Sequence, residues 1–269
     1  MPFAPVLLLL DGLRRVDVSE PVVRADDLGL LRGESVFETV RIAAGRPAFL
    51  DAHLARLARS AERLAIDLPP GWHELTLAAV EGWTDGVLRL VCTRGGLGFA
   101  LVTAIPEQTA AARQGVNAVT LTLGVGAGER ERAPWLLGGV KSTSYAVNMA
   151  SLRHAADLGA DDVIWLSSDG EVLEAPTSTV VIVRAGVLVT PPTSVGILAG
   201  TTVQAVLDLG LAPSQVRRIS AAELVDADEV LLLSSIRGVA PVLRLDDRKL
   251  GKGPLGSALG DAFEASLLA

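Results

Sequence analysis

The stretch "GGVKSTSYAVN", Gly138 to Asn148, carries one of only three lysines in a chain of 269 residues; the others, Lys249 and Lys252, stand near its end. Arginine supplies the remaining side-chain positive charge. Lys141 therefore poses a chemical question. A desolvated amine can lose its proton and then attack a carbonyl or act as a base, whereas a guanidinium stays charged. Taken alone, a surface lysine is the simpler reading. The surrounding sequence has to decide.

Outward from that loop, strand and helix signals interleave without a clean βαβ repeat, which predicts an α+β fold rather than a doubly wound one. Upstream, "PVLLLL", "SVFETVRI", "GVLRLVCT" and "FALVTAI" read as short strands. Between them "DAHLARLARSAERLAID" places Leu54, Leu57, Ala61 and Leu64 at helical spacing, with Asp51 as its N-cap, and "GWHELTLAAVEGW" is a second helix. The polar, small-residue segment from Pro106 to Gly115 has no periodicity and reads as a connection. This predicts a smaller domain over 1–108, a linker over 109–115 and a larger domain over 116–269. In the larger part, strands are expected at "VNAVTLTLG", "DDVIWLS", "EVLEA", "TVVIVRAG", "VLVTPP", "EVLLLSS" and "VAPVLRL". Helices are expected from about Ala146 to Leu158, at "TTVQAVLDLG" and near Gly256 to Leu268.

Composition excludes several classes. The longest purely apolar run, Val6 to Leu10, is far short of the roughly 20 residues of a membrane span, so no membrane partner is expected. The start "MPFAPVLLLLDG" lacks the basic flank of a signal peptide, which predicts a cytoplasmic protein. A single cysteine, Cys92, rules out an internal disulfide and reads as core packing; three scattered histidines give no metal-ligand spacing. A formal charge of -7 argues against broad binding to nucleic acid.

Two glycine-rich stretches fail as phosphate loops. "GGVKS" has a valine between glycine and lysine, and "GVGAGE" lacks the third glycine and a following helical pattern. "GILAGTTVQAVLDLG" is better placed: Gly200, Thr201 and Thr202 sit where a loop becomes a helix, so backbone N–H groups and hydroxyls converge on the positive end of its dipole. An ordinary cap by Thr201 is the alternative. Arg56 in "HLARL" is either a cationic clamp for the same anion or a solvated helix arginine. Glu174 in "GEVLEAPTSTVV" is a carboxylate in an apolar, β-branched setting and needs a partner, either a protonated heterocyclic nitrogen or an arginine.

The order "VKSTSY", "GEVLEAPTSTVV", "GILAGTT", then "DEVLLLSS" followed by "APV", with the amino-terminal "GLLRGESVFETVRIAAGRPAFLDAHLARLARSAERL", resembles the class IV aminotransferases over nearly the whole chain. These are the fold-type IV pyridoxal-phosphate enzymes, among them branched-chain and D-amino-acid transaminases and 4-amino-4-deoxychorismate lyase. The resemblance implies a D-amino-acid-aminotransferase-like fold, with a small N-terminal α/β sandwich and a larger C-terminal β-barrel-like domain. It implies pyridoxal 5'-phosphate as cofactor, a small-molecule amino substrate and a homodimer. Lys141 matches the lysine that holds the cofactor covalently, Glu174 the acid paired with its ring nitrogen and Arg56 the phosphate arginine. Gly200, Thr201 and Thr202 match the phosphate cup, Ser235 a residue near the phosphate, and Tyr145 a group flanking the cofactor.

Within the family, "VFETVR" places Thr39 where the lyases carry threonine and branched-chain transaminases typically carry glycine. "RAPWLLGGVK", "LGADD" and "VCTRGGLG" are also lyase-like. Thr39 then joins Lys141 as a catalytic candidate, with Arg94 and Arg41 as substrate-binding candidates. The resemblance thus points to a lyase that forms pyruvate and 4-aminobenzoate in folate biosynthesis. A D-amino-acid or branched-chain transaminase is the alternative, and a non-catalytic binding relative is a third.

Overall fold

A computed structural model describes residues 4–268; Met1, Pro2 and Phe3 of the start considered for a leader, and Ala269 of the expected second domain, lie outside them. Two compact units are present. One comprises the chain through Pro106 together with Val140–Tyr145 and Leu268, and the other comprises Glu107–Gly139 with Ala146–Leu267.

The first unit is built on an antiparallel sheet of β1 (Val6–Leu9), β2 (Arg14–Val16), β3 (Ser35–Ala43), β4 (Arg46–Pro47), β5 (Asp85–Thr93) and β6 (Gly98–Thr103), in the order β2-β1-β6-β5-β3-β4. Its helices are α1 (Leu28–Leu31), α2 (Leu50–Arg63) and α3 (Trp72–Val80). Alternation along β3 sends Val36, Val40 and Ile42 into a core with Leu57 and Ala61 of α2 and Leu75 and Ala79 of α3. Phe37, Thr39 and Arg41 consequently face the other way. α2 begins at Leu50 after Phe49 in the left-handed conformation (φ 52°), so Asp51 is not its N-cap but an acid in its first turn, favourably placed for the helix dipole. Cys92 is buried in the core, and burial pushes its thiol up to about 11.

The second unit carries a larger mixed sheet of β7 (Val116–Thr122), β8 (Asp162–Leu166), β9 (Thr179–Arg184), β10 (Val187–Thr190), β11 (Ser214–Val216), β12 (Glu229–Ser234), β13 (Gly238–Leu245) and β14 (Arg248–Lys249). It runs β11-β10-β9-β12-β13-β7-β8, with β14 on β13, and curls into a half-barrel. Around it lie α4 (Glu107–Ala111), α5 (Glu129–Arg132), α6 (Ala146–Asp157), α7 (Thr201–Asp208), α8 (Ala221–Val225) and α9 (Pro254–Leu268). Among the described residues no helix is long and apolar enough to cross a membrane.

Two local expectations change. Most of the segment read as a connection is helical, as α4 and the 3-10 turn Ala112–Gln114; "EQTAA" has the helix-forming alanines and a first-turn glutamate to make it so. "EVLEA" is not a regular strand. It is tied to β8 through Leu173 N to Trp165 O and Trp165 N to Glu174 O, both 2.9 Å, while Val172 N turns instead to Ile219 O at 2.8 Å. Divided partners and the following Pro176 prevent a continuous ladder.

Candidate active site

In the first unit, the short segment Val140–Tyr145 lies along β3. Phe37 N donates to Lys141 O (3.1 Å), Thr143 N donates to Ser35 O (2.9 Å), and Val36 bridges Ser142. β4 pairs with β3 only at Ile42 and Ala43, which leaves the other end of that edge to the lysine segment. Lys141 N also donates to Ser60 Oγ of α2 at 3.2 Å. The backbone of Lys141 is thus anchored at both its N–H and its C=O. Its Nζ lies 4.5 Å from the centre of the Phe37 ring and 5.9 Å from that of Tyr145, and the two rings meet edge to face at 5.2 Å. Two aromatic rings thus flank the amine.

Thr39, half-buried, follows Phe37 on the same face of β3. Arg41 is next on that face and buried; its Nη2 pairs with Asp85 at 2.7 Å, while its Nε and Nη1 have no hydrogen-bond partner among the described residues. Opposite Thr39 in the β3–β5 register stands Arg89, exposed. Sequence reasoning missed it, although a charge in the middle of the apolar run "VLRLVCT" was the available signal. Arg94, the arginine of "VCTRGGLG", is engaged locally. Its Nε bonds Glu34, its Nη1 donates to Ala65 O (3.0 Å) and its Nη2 to Leu64 O (2.6 Å), closing the C-terminal end of α2.

Arg56 on α2 is buried and forked onto Glu38 of β3, with Nε to Oε1 and Nη2 to Oε2 both 2.7 Å; His53 Nδ1 lies 2.7 Å from the same Oε2. Burial pushes the Glu38 carboxyl up, yet the hydrogen bonds from Arg56 and His53 outweigh it and hold the group at about 2. Burial also lowers His53, against the pull of Glu38, with the Arg56 and Lys141 charges adding to the lowering. Glu38 was not singled out from sequence. Its signal is a carboxylate at an inward position of a strand whose neighbours on that face are Val36, Val40 and Ile42.

In the second unit, Glu174 lies in the arm that follows β8, mostly buried. Its Oε2 accepts from Leu198 N at 3.1 Å and its Oε1 stands 3.6 Å from Arg130 Nη1. Beyond Leu198 the chain enters α7. Gly200 occupies the N-cap position, with Thr201 and Thr202 as the first two helical residues, so Thr201 is not the cap. A side chain at Gly200 would bring its Cβ to 2.3 Å from Thr179 Oγ1, which accounts for glycine at this turn. Ser235, half-buried, follows β12 in the turn to β13. Arg237 ties that turn to its neighbours through Asp162 (2.6 Å) and Ser178.

The amino-transferase class IV model matches residues 35–245. The bifunctional aminodeoxychorismate lyase / D-amino acid transaminase of Mycobacterium tuberculosis is 38% identical, the match covering 98% of this chain and 99% of that one. A fold IV transaminase of Curtobacterium pusillum superposes with a TM-score of 0.92 at 39% identity, over 97% of this chain and 98% of its own. The PLP-bound form of a hypothetical aminotransferase from M. tuberculosis does so with a TM-score of 0.93 at 37% identity, over 98% and 99%. A family match over most of the chain, together with relatives of nearly equal length, makes this protein a member of the class IV aminotransferases, pyridoxal-phosphate enzymes of fold type IV.

Proposed function

We propose that the chain is a 4-amino-4-deoxychorismate lyase that forms pyruvate and 4-aminobenzoate, with D-amino-acid transamination as a side activity on the same residues. The observation that carries this reading is Thr39: its position on the Phe37 face of β3 sets a hydroxyl on the side of the sheet where the Lys141 Nζ stacks. Similarity over the whole chain to a relative named for both reactions supports it.

The residues present suit pyridoxal phosphate. Gly200 leaves the start of α7 without a side chain, Glu174 is a mostly buried carboxylate, and Lys141 is an amine over an aromatic ring. When bound, the cofactor supplies an electron sink conjugated to the substrate amine. In this reading Lys141 holds it covalently and Glu174 keeps a proton on its ring nitrogen. Arg56, Gly200, Thr201, Thr202 and Ser235 bind its phosphate, and Tyr145 flanks it. As a free amine, Lys141 would take the proton from the substrate carbon that bears the amine. Thr39 would relay that proton from Lys141 to the ether oxygen, taking one up as it gives one out, as the bond from that oxygen to the ring breaks and the three-carbon acid leaves. Arg89 is better suited than Arg94 to receive a substrate carboxylate, because Arg94 is already held by Glu34 and two carbonyls. Arg41, with two buried nitrogens unpartnered among the described residues, is a second candidate.

Thr39→Val nearly preserves shape and removes the hydroxyl. Formation of 4-aminobenzoate from 4-amino-4-deoxychorismate is expected to fall at least about tenfold, with transamination of D-alanine and 2-oxoglutarate unchanged or raised. Parallel loss of both, or a parent enzyme that transaminates briskly and makes no 4-aminobenzoate, would establish a transaminase instead.

A further inference from the structure

Arg130 sits on α5, and its aliphatic stem passes between two glycines. A Cβ added to Gly196 would stand 2.3 Å from Arg130 Cβ, and one added to Gly138 would stand 2.9 Å from the same atom and from Gly196 O. Gly196 also has φ +79°, a conformation that disfavours any side chain. Two backbone segments therefore close on the stem. One, through Gly138, leads toward the lysine loop; the other, through Gly196 and Leu198, leads into the Gly200 turn.

The clamped stem directs the guanidinium at Glu174, where Nη1 comes to 3.6 Å from Oε1. That is an ion-pair distance, longer than a hydrogen bond. Nη1 is buried and has no hydrogen-bond partner among the described residues. A buried donor without a hydrogen bond is costly, and the ion pair with Glu174 offsets that cost. A fixed charge at this distance also favours the ionised form of its neighbour.

We infer that Arg130 is a positioning residue for Glu174: it holds that side chain in place and in its ionised form, so that the proton shared with the cofactor's ring nitrogen resides on the nitrogen. This rests on the reading that Glu174 faces the ring nitrogen. The alternative arrangement, a neutral carboxylic acid beside a neutral nitrogen, carries the same number of protons and lacks the positive ring. Arg130 discriminates between them because only the first presents it with a negative charge.

The test uses holoenzyme loaded with pyridoxamine 5'-phosphate labelled with 15N in the ring, and reads the ring resonance at neutral pH. Arg130→Met keeps a flexible stem and removes the charge. Its resonance is expected to move toward the neutral-nitrogen position, and kcat to fall at least about tenfold with little change in KM for the amino donor. Arg130→Lys, which retains the charge, should restore most of the parent signal. Gly196→Ala, whose new Cβ displaces the arginine stem, should shift the resonance in the same direction as Arg130→Met and serves if that variant does not load. A resonance unmoved in Arg130→Met while Glu174→Gln moves it would overturn the role of Arg130 and leave that of Glu174 standing. A resonance unmoved in Glu174→Gln as well would overturn both.

Discussion

Lys141→Ala is expected to fold and to bind pyridoxal phosphate reversibly, while turnover falls by at least about 10⁴-fold and borohydride no longer fixes the cofactor to the chain. The fold should survive because two bonds that seat this residue belong to its backbone. Phe37 N to Lys141 O and Lys141 N to Ser60 Oγ do not depend on the side chain. Among what goes with the amine is its stacking on Phe37, worth about 0.5–1 kcal/mol at an exposed site and more when desolvated. Lys141→Arg should be as inactive, since a guanidinium keeps the charge and cannot release a proton to attack. Visible absorbance and denaturing mass spectrometry after borohydride measure the outcome. Covalent cofactor persisting in Lys141→Ala would move the anchor to another lysine, and a parent protein that cannot be loaded at all would favour a non-catalytic relative.

Glu38→Ala is expected to cost about 3–5 kcal/mol of stability, the penalty typical of removing one partner from a buried ion pair. The variant takes from the buried Arg56 both bonds of the fork, and from His53 its contact with the same carboxylate, at once. The pH dependence has a definite sign. Glu38 is held at about 2 in the folded protein against an ordinary 4.5, so its contribution is fully present above about 4.5 and disappears as the pH falls through about 2. A shift of that size corresponds to roughly 3 kcal/mol. His53, lowered mainly by burial, gives a slope of the same sign that begins below its ordinary 6.5, because it takes up a proton more readily in the unfolded chain. Urea titrations of the parent and of Glu38→Gln should give a stability difference that narrows steadily between those pH values. A difference that stayed constant would mean that Glu38 is not the titrating group. Because Arg56 is the candidate phosphate arginine, both Glu38 variants should also weaken pyridoxal phosphate more than unphosphorylated pyridoxal.

Much of this protein is written locally. The alternation in "SVFETVRI", the helical spacing of Leu54, Leu57 and Ala61 and the loop-to-helix change at Gly200 each specify an element within a few residues, because strand and helix periods act over that range. The singular lysine and the order of the motifs were likewise legible, since chemistry that needs an amine or a carboxylate admits few substitutes. Local rules failed where a residue chooses a distant partner. Glu38 meets Arg56 across 18 positions, Arg94 meets Glu34 across 60, and Arg130 finds Glu174 only once the chain has folded back on itself. Nothing in the spacing of "VCTRGGLG" distinguishes an arginine that meets substrate from one that closes a helix on Leu64 and Ala65. The register of β3 against β5 sets Arg89, and not Arg94, opposite Thr39. Seating Lys141 on the edge of β3 is a tertiary event too: its position depends on an edge that β4 leaves unpaired, and that vacancy exists only after the sheet has formed.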